Sequence, residues 1–242
     1  MTITIDPATF WETAGLATNP RDNFLICPTE EEYWESGKVD ASYFIEGAKK
    51  RIKNLKTKTV MDYGPGDGRV ARFVADACKK IYCVDIARSV VGLAEQQFKQ
   101  FGIKNTEFKT VSDLTESQKA NFVDFLYSYQ VIQHNPPDEQ KAIVQRIYDC
   151  LKPGGLACIH FAKLENKPGY VNGPGCMCFT LEQVKELAGG VFGDGDREAG
   201  DGAGDNYEIE EEIIGKAQEY FGATDYFVWG YKRSEKREGH KK

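Results

Sequence analysis

With 242 residues, of which 41% are hydrophobic, 12% aromatic and 28% charged, the chain can bury a sizeable core, and its length suits one large α/β domain. Disorder as the overall state is excluded, and so is a fibrous or collagen-like architecture. A net charge of −6 repels phosphate backbones, so a nucleic-acid partner would need a local basic patch, and the dense basic run Lys232–Lys242 is expected as a solvated terminus.

In chain order, residues 1–57 precede the first strand signal; they contain Trp11, Tyr33 and Trp34 and predict a helix from Asp40 to about Ile52. They are expected as an N-terminal cap or lid on a main domain over 58–242, the two forming one globular unit. Thr59–Tyr63 predicts a strand, and the stripe Val70, Phe73, Val74, Ala77, Cys78 predicts a helix over 69–80. A strand at Ile81–Asp85 follows, then a helix carrying Val90, Leu93, Ala94, Phe98 and Phe101 and stopping at Gly102. Thr106–Val111 is the third expected strand. Phe122–Tyr129 is the fourth, apolar on both faces as central parallel strands are.

After Pro136-Pro137 comes a helix through Ile143, Val144, Ile147, Tyr148 and Leu151; Lys152-Pro153-Gly154-Gly155 is expected to stop it before a strand at Leu156–Phe161. Thr180 with Gln183 reads as a capping box opening a helix to Gly189. Tyr207–Ile214 and Tyr226–Lys232 are expected as closing strands. The acidic glycine-rich stretch 193–206 invites a calcium reading. Ala199 stands where an EF-type loop starting at Asp194 needs glycine, however, and Asp205 where it needs glutamate, so a loop is favoured. The alternation of strands and helices predicts an α/β, doubly wound, mostly parallel seven-stranded sheet with helices on both faces and an N-terminal helical cap.

Seven cysteines with no CxxC spacing argue for reduced thiols, and no metal site is expected. No apolar run approaches the roughly 18 residues of a membrane helix, and Met1–Pro7 lacks the flank of a signal peptide, so a cytoplasmic protein is expected.

The densest chemical signal is Val60-Met61-Asp62-Tyr63-Gly64-Pro65-Gly66-Asp67-Gly68, where a predicted strand turns into a helix. Glycines allow the tight turn and close approach of a ligand to the backbone. Asp85 ends the next strand 21 residues after Gly64, where a carboxylate can accept both hydroxyls of a ribose. The spacing Gly64-x-Gly66-x-Gly68 is not the dinucleotide G-x-G-x-x-G. Asp62 and Asp67 would also repel a pyrophosphate, by on the order of 4 kcal/mol for unit charges about 4 Å apart near a surface. A cationic nucleoside ligand fits better.

This run resembles motif I of the class I S-adenosylmethionine (SAM)-dependent methyltransferases. Asp85-Ile86, Ser112-Asp113-Leu114, the strand Phe122–Ser128 and Leu151–Gly155 resemble further segments of that family in the same order, over about residues 58–163. Tyr33-Trp34-Glu35-Ser36-Gly37 is similar to a cap segment of some small-molecule members. The resemblance implies SAM as cofactor, with its methionine end against Asp62, Gly64, Gly66 and Gly68. It implies further that Asp85 holds the ribose hydroxyls, Ile86 packs on the adenine, Asp113 and Leu114 flank the adenine edge, and Tyr129 lines the methyl-donor side.

Methyl transfer from a sulfonium is an in-line displacement whose leaving thioether needs no acid, so alignment and water exclusion are the protein's main tasks. A hydroxyl acceptor benefits from a base, and His134, after the fourth strand, is the candidate; a cap or a supporting hydrogen bond is the alternative role. His160, mid-strand, is expected as a satisfied core histidine. Trp11, Tyr33 and Trp34 are expected either to close over a substrate or to anchor the N-terminal helix. The expected function is methyl transfer to an oxygen or nitrogen of a small molecule, a metabolite, sugar or natural-product intermediate, with no nucleic acid and no membrane as partner. The alternatives are an NAD(P)-dependent oxidoreductase and a non-catalytic nucleoside-binding protein of the same fold. The sequence leaves the acceptor and the oligomeric state open.

Overall fold

The computed structural model describes residues 6–17, 29–163, 177–193, 206–212 and 225–233. The acidic stretch 194–205, Cys176 and the basic tail from 234 lie outside the described residues. The helices are α1 (Pro7–Gly15), α2 (Glu30–Arg51), α3 (Ala71–Ala75), α4 (Arg88–Gln100), α5 (Glu116–Lys119), α6 (Pro137–Cys150) and α7 (Leu181–Phe192). The strands are β1 (Thr59–Tyr63), β2 (Lys80–Asp85), β3 (Thr106–Thr110), β4 (Val123–Ser128), β5 (Leu151–Phe161), β6 (Tyr207–Glu212) and β7 (Asp225–Tyr231).

These strands form one sheet in the order β3-β2-β1-β4-β5-β7-β6. Strands β1 to β5 pair in parallel, whereas β7 is antiparallel to both β5 and β6. Successive residues of a strand point to opposite faces, and both faces are covered. Val60, Phe125, Tyr127 and Trp229 pack with Phe44 of α2 and Val74 of α3 on one side. Met61, Tyr63, Leu126 and Ile159 pack with Ile143 of α6 and Phe192 of α7 on the other. The expected α/β sheet with helices on both faces is therefore present. Among the described residues no helix is long and apolar enough to cross a membrane.

Three boundaries differ most from the sequence reading. First, α2 begins at Glu30 rather than Asp40: Thr29 caps it by accepting the Glu32 N–H, with Glu30, Glu31 and Glu32 in the first turn and Lys49, Lys50 and Arg51 in the last, favourable charges at both ends. Asp40, expected from sequence as the start of this helix, lies mid-helix and buried. Second, α3 is only Ala71–Ala75, because the chain tightens into turns through Ala77 N–H to Val74 O and Cys78 N–H to Ala75 O before β2. Third, β5 starts at Leu151, paired with Val123, so Lys152–Gly155 is an irregularity inside the strand instead of a stop before it. Gly154, at φ 77°, turns there and donates its N–H to Lys232 O. The capping box at Thr180–Gln183 forms as expected, and α7 runs on to Phe192. Of the expected strand Tyr207–Ile214, residues 207–212 pair with β7, and 213–214 lie outside the described residues.

Candidate functional site

The chain runs outward from β1 through β2 to β3 and then returns to β4 on the other side of β1. Crossovers leaving in opposite directions open a crevice at the carboxyl ends of β1 and β4, the usual ligand position in such sheets. A cavity of about 350 Å³ lies there. Ser128 at the end of β4 donates its hydroxyl to Tyr63 O, and Gly64 N–H bonds Val84 O, so the three strand ends form a fixed edge.

Asp62, Gly64, Gly66 and Asp85 make the floor. Gly64 and Gly66 have φ values of 81° and 60°, a left-handed backbone that side chains disfavour. A Cβ on Gly64 would also stand 2.2 Å from Val131. Burial pushes the Asp62 carboxyl up to about 7, against the pull of the Tyr127 hydroxyl. Burial likewise pushes Asp85 up to about 6, although it accepts the Ala87 N–H at 3.1 Å. Neither carboxylate has a salt-bridge partner among the described residues, so the floor suits a ligand that brings a positive charge and hydroxyl donors. Ile86, half exposed at the rim, offers an apolar surface for a flat ring.

The roof comes from the N-terminal helices. Glu12 of α1 accepts the Ser89 N–H at the start of α4, and Ser89 Oγ donates to Glu12 O at 2.7 Å. This seats Phe10 and Trp11 over the cavity, with Trp11 edge-on to His134 at 5.6 Å between ring centres. From α2, Tyr33 donates its hydroxyl to Asp67 of the glycine loop at 2.6 Å. Asp40 and Arg69 form a buried ion pair at 2.6 Å, and Ser36 accepts from Arg69 at 3.0 Å. Gly37 lets α2 come this close, since a Cβ there would stand 2.3 Å from Arg69 O.

Of the residues singled out from sequence, Asp62, Gly64, Gly66, Asp85, Ile86, Tyr129 and His134 line this cavity. Gly68, Asp113 and Leu114 do not. Gly68 is a turn residue at φ 88° whose Cβ would strike Phe98. Asp113 caps the turn at Val111–Asp113 by accepting the Thr110 N–H and pairs with Arg88 at 2.7 Å; those bonds hold its carboxyl well below the usual range. Leu114 is buried in the core on the α6 side. His160 is a buried, hydrogen-bonded histidine, as expected. Sequence reasoning missed Glu139, Ile143 and Arg146 of α6, which line the far end, where Arg146 donates to the Tyr63 hydroxyl at 2.9 Å. Their signal was present in the register of α6, whose Ile143 stripe faces the sheet and carries Glu139 and Arg146 to its flank.

Residues 60–155 match a family model described as a methyltransferase domain. Over 112 residues, 46% of this chain, the chain is 30% identical to phosphoethanolamine N-methyltransferase 2 of Caenorhabditis elegans, covering 25% of that protein. Over 117 residues, 48% of this chain, it is 26% identical to a Fusobacterium nucleatum protein named an uncharacterized RNA methyltransferase, covering 24% of it. The chain thus spans about a quarter of the length of these curated relatives. Among solved structures, magnesium protoporphyrin IX methyltransferase from Synechocystis PCC 6803 with bound SAM superposes with a TM-score of 0.65 at 12% identity, over 96% of this chain and 100% of that one. Phosphoethanolamine N-methyltransferase 1 of Haemonchus contortus gives 0.64 at 13% identity, over 96% of this chain and 49% of that one.

Proposed function

We propose that this chain, which matches a methyltransferase-domain family model over residues 60–155, is a class I SAM-dependent methyltransferase that transfers a methyl group from SAM to an oxygen or nitrogen of a small molecule. The observation that carries the reading is the floor of the cavity: two buried carboxylates with no salt-bridge partner among the described residues, set around a left-handed glycine loop at the switch point of the sheet. That set of acceptors fits a nucleoside bearing a positive charge.

When bound, SAM supplies a methyl group on a positively charged sulfur that leaves as a neutral thioether. Asp85 accepts the ribose hydroxyls, Ile86 packs on the adenine, and Asp62 with Gly64 and Gly66 holds the methionine end. Asp113 and Leu114 are left out of the contacts, because both side chains are committed elsewhere. Tyr129 lines the methyl-donor side. The roof of Phe10, Trp11 and Tyr33 excludes water, and His134 beneath Trp11 takes the proton of a hydroxyl acceptor. An amine acceptor needs no base once it has lost its proton.

The roofed cavity and the net charge of −6 favour a small acceptor over RNA. We place the protein in the cytoplasm, in keeping with the free thiols of the buried Cys78, Cys83, Cys150 and Cys158.

The test is calorimetry of SAM, its demethylated product, NAD and NADP binding to the purified chain. Micromolar binding of the first two is expected, with affinity lowered about 30-fold in Asp85→Ala, the scale of charge-assisted hydrogen bonds lost. Binding of NAD or NADP instead would turn the reading to an oxidoreductase. SAM binding without turnover on any amine or hydroxyl acceptor would leave a nucleoside-binding protein.

A further inference from the structure

The wall of the cavity at Tyr129–Val131 is held in a conformation that its own sequence disfavours. Gln130, which lines the cavity, has φ 58°, a left-handed backbone outside glycine. It lies past the end of β4 at Ser128, outside the strand ladder. Its N–H donates to Nδ1 of His160 on β5, at 3.2 Å. Because Nδ1 accepts, the proton of a neutral His160 resides on Nε2, which stands 2.8 Å from Asp225 Oδ2 at the start of β7. Asp225 is itself oriented by accepting the Lys163 N–H through Oδ1 at 2.9 Å. His160 is 1% exposed, and its ring meets Tyr129 edge-on at 5.0 Å and Phe227 at 5.0 Å. The ring therefore touches both the residue that faces the methyl-donor side and the backbone that aims it. Asp40 of α2 and the phenol of Tyr129 are the further titratable groups beside it.

We propose that His160 is a positioning residue for methyl transfer: oriented by Asp225, its Nδ1 lone pair fixes Gln130 and thereby sets Tyr129 against the reacting centre. The proposal rests on the methyltransferase reading for what is positioned, but the Asp225–His160–Gln130 chain stands on its own geometry. Displacement of a cavity wall by about 1 Å costs on the order of a hundredfold when reacting atoms must align, so the chain acts on turnover more than on cofactor affinity.

Two conservative variants separate the two ring nitrogens. His160→Asn keeps an acceptor near Nδ1 and loses the Asp225 bond; His160→Gln keeps a donor near Nε2 and loses the acceptor for Gln130. The expected result is a kcat loss of about 30-fold for His160→Gln and far less for His160→Asn, with the SAM Kd of both within about threefold of the parent. Equal losses in the two variants, or a shift in SAM affinity as large as that in kcat, would overturn the proposal. A readout independent of activity is the nitrogen NMR spectrum of His160 in the parent chain. An Nε2–H tautomer, with a Gln130 amide slow to exchange in the parent and fast in His160→Gln, supports the proposal; an Nδ1–H tautomer or an unprotected amide in the parent refutes it. If the parent chain binds no SAM while the tautomer and exchange come out as expected, the functional reading fails and the positioning chain survives.

Discussion

The floor of the cavity and its wall and roof reach the same space by different routes. Asp62, Gly64, Gly66 and Asp85 all come from the ends of two adjacent strands, within residues 62–85, and the crevice they line follows from strand order alone. Tyr129–His134 is instead held from afar: by His160 and Asp225 behind it, and by Trp11 in front. Tyr33 and Asp40 of α2 clamp the glycine loop from a third segment. Under the proposed function, cofactor binding rests on local backbone geometry, whereas alignment of an acceptor rests on long-range packing. A mutation in the first region should read out as affinity, and one in the second as turnover or stability.

The largest effect expected is at the clamp. Asp40→Ala leaves the Arg69 guanidinium buried without its carboxylate, which costs about 3–5 kcal/mol of stability; a denaturant titration checks it, and a loss under 1 kcal/mol would show that the cap contributes little to holding the loop. Next comes His134→Ala. It should lower turnover on a hydroxyl acceptor about a hundredfold, the low end for a general base, with SAM affinity unchanged. Retained turnover would leave His134 as a support for Trp11.

The pH dependence sharpens the same contrast. Asp62 and Asp85 sit at about 7 and about 6 in the folded chain against an ordinary value of 3.8. The folded chain thus keeps protons that the unfolded chain has released. Their contribution to stability is fully present below about pH 4 and is lost as the pH rises through 6 and 7. A cationic cofactor prefers the ionised carboxylates, so its affinity should run the other way, rising up to about tenfold per pH unit between 5 and 7. Calorimetry across that range decides, and a flat profile would mean that the floor is already ionised. The smallest effect is expected for Trp11→Ala, where loss of the roof should raise KM for the acceptor about three- to fivefold and leave SAM affinity nearly unchanged. A larger loss of SAM affinity would place Trp11 on the cofactor instead.

Most of the floor was legible in the sequence because its chemistry and its spacing coincide: glycines where φ must be positive, and carboxylates at strand ends. Asp113 illustrates the limit. The family resemblance implied that it flanks the adenine edge; in the structure its carboxylate bonds the Thr110 N–H and Arg88, and it does not line the cavity. Asp40 illustrates the opposite error, since the residue at which the sequence reading began the helix is a buried ion-pair partner in mid-helix. His160 could be identified as a core histidine, but nothing in its neighbours names Asp225 or Gln130 as partners.

The alternation of strand and helix signals, the glycine loop and the carboxylates at strand ends were determined by the sequence itself, because the periodicities of strand and helix and the conformational freedom of glycine act over a few residues. Tertiary structure alone decided that α2 reaches the glycine loop, that α6 brings Arg146 to the far end of the cavity, and that His160 faces Gln130. Those contacts join residues far apart in the chain, and burial of the two faces of the sheet selects them; no local pattern records which buried partner a side chain will meet.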